Sequence, residues 1–279
     1  MLLRIGSRGS RLALTQAEQA AALLRGPGVE VAFLPITTAG DRDRKRPFGQ
    51  IGSRGVFVKE IEEALLAGRI DVAVHSAKDM TSSDSEGLVV GAYLQRDDPR
   101  DALIGVDEIR PGMRIGTASA RRRAQLLALE PTLSIEPLRG NVDTRLRKLH
   151  ERGLDAIVLA AAGLERLGLT HEIGLRFDVD ELVPEAGQGA LALQVRAGEE
   201  SLVAAADDPE TRRRVQLERR CTALIGGGCL APVAAHHDGE ALTALVADED
   251  GRWVERRRGD DPEALARELS PFLAAAPAS

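Results

Sequence analysis

Sulfur and aromatic rings are scarce in this chain of 279 residues: it has two cysteines and three methionines, and Phe, Trp and Tyr together make up 3%. Two cysteines, Cys221 and Cys229, cannot build a disulfide framework, and neither sits in a metal-ligand spacing, so no metal is expected. No apolar run approaches the roughly 20 residues of a membrane span. The opening stretch MLLRIGSRGS lacks the apolar core of a signal peptide, so the expectation is a cytoplasmic protein with no membrane partner. A formal net charge of −6, with few rings on which bases could stack, argues against nucleic-acid binding.

What is present is an ordinary globular composition, 43% hydrophobic and 29% charged, over a length that suits two or three domains. Lysine and arginine still number 37, many of them beside glycine, serine or threonine. Local basic pockets in an acidic protein suit a small anionic ligand better than a polymer.

Along the chain, LLRIG reads as a strand, residues 10–24 as an amphipathic helix and VEVAFLPI as a second strand. The charged, glycine-punctuated stretch TTAGDRDRKRPFGQIGSRG reads as a mobile loop. VFVKEIEEALLAG places Phe57, Ile61 and Leu65 at helical spacing and ends at Gly68. RIDVAVH then reads as a buried strand that delivers SAKDM at its C-terminal end. This β-α-β-α-β order predicts a parallel sheet covered by helices. The pattern restarts: RIGTASARRRAQLLAL from Arg114 repeats RIGSRGSRLALTQAE from Arg4, and RGLDAIVLA repeats GRIDVAVHS with Asp155 in the place of Asp71. Two repeats in the same order predict two similar α/β lobes. Beyond ELVPEAGQGALALQVR come a basic helix, a glycine-cysteine loop, a hairpin turning near Asp250-Gly251 and a last helix over 262–275. Those elements read as a small α+β third domain.

Strand ends that lead into helix N-termini are natural anion sites, because free N–H groups and the helix dipole converge there. One such turn carries Arg8, Ser10 and Arg11, a second Thr117, Ser119, Arg121, Arg122 and Arg123, and a third Arg139, Arg145 and Arg147. Converging guanidinium groups suit a ligand with several carboxylates, although Arg-rich surface helices are also common. Lys78 and Asp79 fall at the C-terminal end of a parallel strand, where open α/β sheets place their sites. Asp79 reads equally as a helix N-cap or as a group that stabilises developing positive charge. His75 reads as structural. Cys229 follows three glycines, which clears space around its sulfur; it is either an incidental residue of a tight turn or a reactive thiol, with His236 or His237 as a base. Cys221 reads as a packed, inert helix residue.

Taken together, RIGSRGSRLAL, GVFVKEIEEALL, DVAVHSAKDM, RIGTASARRRAQL, LRGNVDTRL, DAIVLAAAGLERLGL, PEAGQGALAL and GGGCLAPV resemble the porphobilinogen deaminase (hydroxymethylbilane synthase) family, in that family's order. The resemblance implies an α/β fold: two periplasmic-binding-protein-like lobes, mainly parallel sheets with flanking helices, and a small α+β C-terminal domain. The implied division is 1–94 with 188–207, 95–187, and 208–279. It implies a transferase that joins four porphobilinogens head to tail, each losing ammonia, and then releases hydroxymethylbilane by hydrolysis. The growing chain would stand on a covalent dipyrromethane cofactor, one per chain, held by a thioether to Cys229. Asp79 would handle the cationic azafulvene left by ammonia loss. Cofactor and substrate would be bound by Arg8, Ser10, Ser76, Lys78, Thr117, Ser119, Arg121, Arg122, Arg139, Arg145, Arg166 and Gln188. Arg54 and Phe57 would belong to a flexible loop over the cleft. The implied molecule is a monomer that hands its product to uroporphyrinogen-III synthase.

Departures from the family pattern are Arg54 where lysine is common, MTSS after HSAKD in place of a proline-containing turn, Gly226 before GGC with LAP after it, and a short C-terminal domain. Two rivals remain on sequence grounds. A non-catalytic bilobal anion-binding protein explains the arginines but leaves Asp79 and Cys229 unused. A cysteine hydrolase would require His236 or His237 at Cys229.

Overall fold

The structure, a computed structural model, describes residues 1–38, 58–81, 85–226 and 231–275. Arg54, Phe57 and Cys229 lie outside the described residues. The chain divides into two compact units, Met1–Asp97 with Ala190–Arg213, and Asp98–Gly189 with Arg214–Ser279.

In chain order, the first segment carries β1 (Leu2–Arg8), α1 (Arg11–Leu24), β2 (Glu30–Ile36), α2 (Lys59–Leu66), β3 (Val72–Ser76) and β4 (Leu88–Tyr93). The next carries β5 (Asp101–Ile104), β6 (Arg114–Gly116), α3 (Ala120–Leu129), β7 (Ser134–Glu136), α4 (Val142–Glu151), β8 (Ala156–Ala160), α5 (Ala161–Arg166) and β9 (Ile173–Arg176). β10 (Leu191–Arg196) returns to the first unit, and α6 (Pro209–Ile225) leads to β11 (Val233–His237), β12 (Leu242–Ala247), β13 (Val254–Gly259) and α7 (Pro262–Ala275).

The first unit has the strand order β2-β1-β3-β10-β4, and the second has β7-β6-β8-β5-β9. Position by position the two sheets correspond. The first three strands of each are parallel, as the sequence pattern predicts. The fourth, β10 or β5, runs antiparallel to both neighbours. That strand enters from chain that has just left the other unit, so no crossover helix imposes a parallel direction on it.

The repeated residues do the same work in both sheets. Arg4 N–H donates to the Asp71 carboxylate at 2.9 Å and Arg114 N–H to that of Asp155 at 2.7 Å, while each aspartate N–H returns a bond to the arginine carbonyl. The guanidinium groups differ: that of Arg4 grips Asp71, whereas that of Arg114 turns to Glu136. Gly6 and Gly116 answer to one packing need. A Cβ on Gly6 would stand 2.4 Å from Ile70, and one on Gly116 would stand 2.8 Å from Leu154. Alternation along β3 sends Val72 and Val74 toward α1 and Ala73 toward α2, so helices cover both faces of the first sheet.

Within the second unit β11, β12 and β13 form an antiparallel sheet. β11 has no clear alternation in the sequence and escapes the sequence reading. β12 is buried on both faces: Leu242, Ala244 and Val246 meet α6 and α7, while Leu245 and Ala247 meet Ala124 of α3. The β12–β13 connection contains Gly251 at φ +69°, where a Cβ would stand 2.4 Å from the Ala124 carbonyl oxygen. Arg123 also donates to the Glu249 carbonyl and to Asp250. The C-terminal sheet is thereby fastened to the helix that bears Arg121 and Arg122.

Candidate active site

In the first unit, the C-terminal end of β3 and the N-terminus of α1 line a cavity that opens to solvent. Arg8, Ser10, Gln16, His75, Ser76 and Asp79 contribute to its lining. Ser10 is the N-cap of α1, its hydroxyl accepting the Ala13 N–H. Gln16 on α1 donates to the Ser76 hydroxyl at 3.0 Å, tying the helix to the strand end. Lys78 and Asp79 occupy the single 3-10 turn Ala77–Asp79, which Ser76 precedes. Asp79 closes this turn, and among the described residues it is the N-cap of no helix. His75 is buried, with Nε2 3.2 Å from the Gln194 side-chain oxygen. The Gln194 amide nitrogen donates to the Glu62 carboxylate, which can only accept, so the Gln194 oxygen faces His75 and Nε2 carries the proton. His75 is thus structurally held, as expected, and also part of the cavity wall.

In the second unit the turn from β6 into α3 builds a buried ionic cluster around Asp101. Arg121 donates to Asp101 Oδ2 at 2.7 Å and to the Val183 carbonyl at 2.8 Å. Arg122 donates twice to Asp101 Oδ1, at 3.0 and 2.7 Å, and to the Val158 carbonyl. Gln188 donates to Asp101 Oδ1 at 2.9 Å and to the Pro99 carbonyl, and its oxygen takes a longer bond from Arg122. Asp101 has no exposed surface. Burial pushes its carboxyl up, but the charges of Arg121 and Arg122 outweigh this and hold it well below the usual carboxylate range. Arg121 keeps two buried nitrogens, Nε and Nη2, without a hydrogen-bond partner among the described residues.

Ser119 is the N-cap of α3, accepting the Arg122 N–H, and the buried Thr117 hydroxyl accepts the Ser119 N–H. Arg166 on α5 donates to the Gly189 carbonyl at 2.7 Å, next to Gln188. Arg139 and Arg145 stand on the separate turn that opens α4, capped by Asn141; Arg145 donates to the Gly140 carbonyl, and the Arg139 carbonyl accepts from Lys148.

The expected residues therefore fall into two groups, one per unit. Arg8, Ser10, Ser76 and Asp79 share one cavity, with Lys78 on the same turn, while Arg121, Arg122 and Gln188 are joined through Asp101. The sequence reading passed over Asp101, whose one signal is a carboxylate heading the apolar run ALIGV. It also passed over Glu218, a buried carboxylate hidden among the arginines of α6. His236 and His237 are buried on β11: His236 Nδ1 lies 3.3 Å from Glu218, and His237 Nδ1 accepts the Gly239 N–H. Neither ring is disposed as the accessible base that a cysteine hydrolase needs. Cys221 is buried in α6, where burial, and then Glu263, push its thiol up to about 12, so it stays protonated and unreactive at neutral pH.

Residues 3–204 match the family model described as "Porphobilinogen deaminase, dipyromethane cofactor binding domain". A porphobilinogen deaminase from Syntrophotalea carbinolica is 47% identical over 286 residues, covering 98% of this chain and 91% of that protein. One from Roseiflexus castenholzii is 45% identical over 97% of this chain and 95% of its own length, and one from Pelobacter propionicus is 44% identical over 97% and 93%. Among solved structures, a periplasmic substrate-binding protein from Coxiella burnetii aligns with 76% of this chain and 94% of its own at 15% identity, with a TM-score of 0.44. No helix among the described residues is long and apolar enough to cross a membrane. A family model that matches well over half of the sequence, together with relatives at 44–47% identity along nearly its whole length, places this chain in the porphobilinogen deaminase family.

Proposed function

We propose that this chain is a transferase that condenses four porphobilinogens head to tail on a covalent dipyrromethane, losing one ammonia per addition, and releases hydroxymethylbilane by hydrolysis. The observation that carries the reading is the match of residues 3–204 to the family's cofactor-binding domain, a span that includes Asp79 and the whole Asp101 cluster. The residues present fit the group. Dipyrromethane, built from two porphobilinogen units, carries several carboxylates, and Arg121 offers buried donors that no protein group among the described residues accepts. Two guanidinium groups face one carboxylate there, which leaves a buried site of net positive charge for an anionic ligand. When bound, dipyrromethane supplies the pyrrole carbon on which chain growth starts.

The rest of the chemistry falls to the protein's own side chains. As the substrate's C–N bond breaks and ammonia departs, positive charge spreads over its pyrrole, and the Asp79 carboxylate stabilises that charge. Arg8 stands in the same cavity and offers a cation to a substrate carboxylate, so one pocket serves both ends of a zwitterionic substrate. Lys78, Ser10 and Ser76 in the first unit, and Thr117, Ser119, Arg139, Arg145, Arg166 and Gln188 in the second, are the further cofactor- and substrate-binding residues; Arg54 and Phe57, assigned by resemblance to a loop, lie outside the described residues. Cys229 is the attachment point; it lies beyond the span matched by the family model. The functional division is 1–94 with 188–207, 95–187, and 208–279. The protein acts as a cytoplasmic monomer, binds no nucleic acid, and hands its product to uroporphyrinogen-III synthase.

The test is the intact mass of the denatured chain beside a Cys229→Ser variant, before and after incubation with porphobilinogen. An increment of two pyrrole units in the parent alone is the expected result. An unchanged mass after incubation would instead favour a non-catalytic anion-binding protein.

A further inference from the structure

Glu218 lies on α6, between Leu217 and Arg219, yet its carboxylate has no exposed surface. Taking an ion out of water is unfavourable unless its hydrogen-bonding capacity is met, and here it is met in a particular way. Oε2 accepts the Gly187 N–H at 2.7 Å, and Oε1 accepts the His237 N–H at 2.8 Å. The His237 bond secures the end of β11, a rigid element. The Gly187 bond secures a turn. Gly187 and Gly189 adopt φ of +76° and +88° on either side of Gln188, a left-handed backbone that glycine reaches freely and leaves just as freely. Gln188 has no exposed surface and delivers its amide to Asp101 and Pro99, while the Gly189 carbonyl accepts from Arg166. Two glycines thus flank Gln188, which bonds Asp101 alongside Arg121 and Arg122, and Glu218 fastens the first of them to α6 and β11.

We propose that Glu218 is a positioning residue of the deaminase site, holding the Gly187–Gly189 turn so that Gln188 and the Gly189 carbonyl meet Asp101, Arg122 and Arg166. The reactive importance of those partners rests on the function proposed above; the holding of the turn does not. Glu218 acts through Gln188: its bonds to Gly187 and His237 hold the turn and the end of β11, and Gln188 carries that fixed pose to Asp101.

Glu218→Gln separates this role from simple packing. The side chain keeps its volume, but its NH₂ must face one of two N–H donors, so one bond is lost. Hydrogen exchange in the peptide spanning 184–190 is expected to quicken by about tenfold, with the strands of the same sheet unchanged. Porphobilinogen kcat/KM is expected to fall by about tenfold in the parent background and by less than about twofold in a Gln188→Ala background, because residues acting in series are not additive. Equal losses in both backgrounds, or unchanged exchange at 184–190, would overturn the positioning role. If Glu218→Gln does not fold, Glu218→Asp, which keeps both acceptor oxygens but shortens their reach, goes through the same cycle with the same criteria. Exchange needs no substrate, so a parent protein inactive on porphobilinogen would sink the functional reading alone, and the exchange pattern would still decide the role of Glu218.

Discussion

Asp79 and Asp101 are both aspartates with arginine nearby, and their surroundings give them opposite duties. Asp101 is enclosed and bonded on both oxygens by Arg121, Arg122 and Gln188, so it is the permanent counter-ion of the cluster. Its folded pKa lies below the unfolded value of about 3.9, so its contribution to stability is complete above about pH 5 and is lost as pH falls from there toward the folded pKa. Asp101→Asn leaves two buried guanidinium groups with no anion, and urea unfolding at pH 7 is expected to show a loss of about 3–5 kcal/mol. The gap between parent and variant should narrow at pH 3; a gap that is constant with pH would show that the charge of Asp101 is not what stabilises the cluster. Asp79, by contrast, lines a cavity from the end of a short turn. Lengthening it by one methylene in Asp79→Glu misplaces the carboxylate, and kcat is expected to fall by about a hundredfold while the covalent cofactor mass stays unchanged. Turnover close to that of the parent would remove Asp79 from the reaction.

At the scale of elements, each unit reuses one device: strand, glycine, serine N-cap, helix. Its strand, serine/threonine turn and helix were legible because they are consecutive in the chain, and Ser10 and Ser119 cap by reaching only three residues ahead; what the RIG glycines make room for, Ile70 and Leu154, lies far along the chain and was not legible. The antiparallel fourth strands were not legible, since β5 and β10 look like any other short apolar run and their direction depends on where the chain has just been. The β12–β13 connection is the element on which α3 depends from outside. Gly251→Ala would force a Cβ against the Ala124 carbonyl at a left-handed backbone position. A loss of about 2 kcal/mol or more in chemical unfolding is expected, with weaker binding by the Arg121–Arg122 helix. If the variant unfolds like the parent, the hairpin is not seated on α3 in solution.

For the molecule as a whole, a net charge of −6 disfavours a substrate bearing two carboxylates, so the cations that hold it must be gathered locally. The reading as a monomer predicts a sedimentation-equilibrium mass near 29.8 kDa across a range of concentrations, and a mass twice that would overturn it. The two repeated lobes and the strand-to-helix turns could be read from the chain alone, because short-range spacing and residue type dictate them, while the duty of Asp79 in the SAKD turn came from the family resemblance. The place of Asp101 between Arg121 and Arg122, and the reach of Glu218 to Gly187, could not. Their partners lie some 20 to 31 positions away in the chain, and only the packing of β5, α3 and α6 decides that these charges meet out of water, where pairing becomes obligatory.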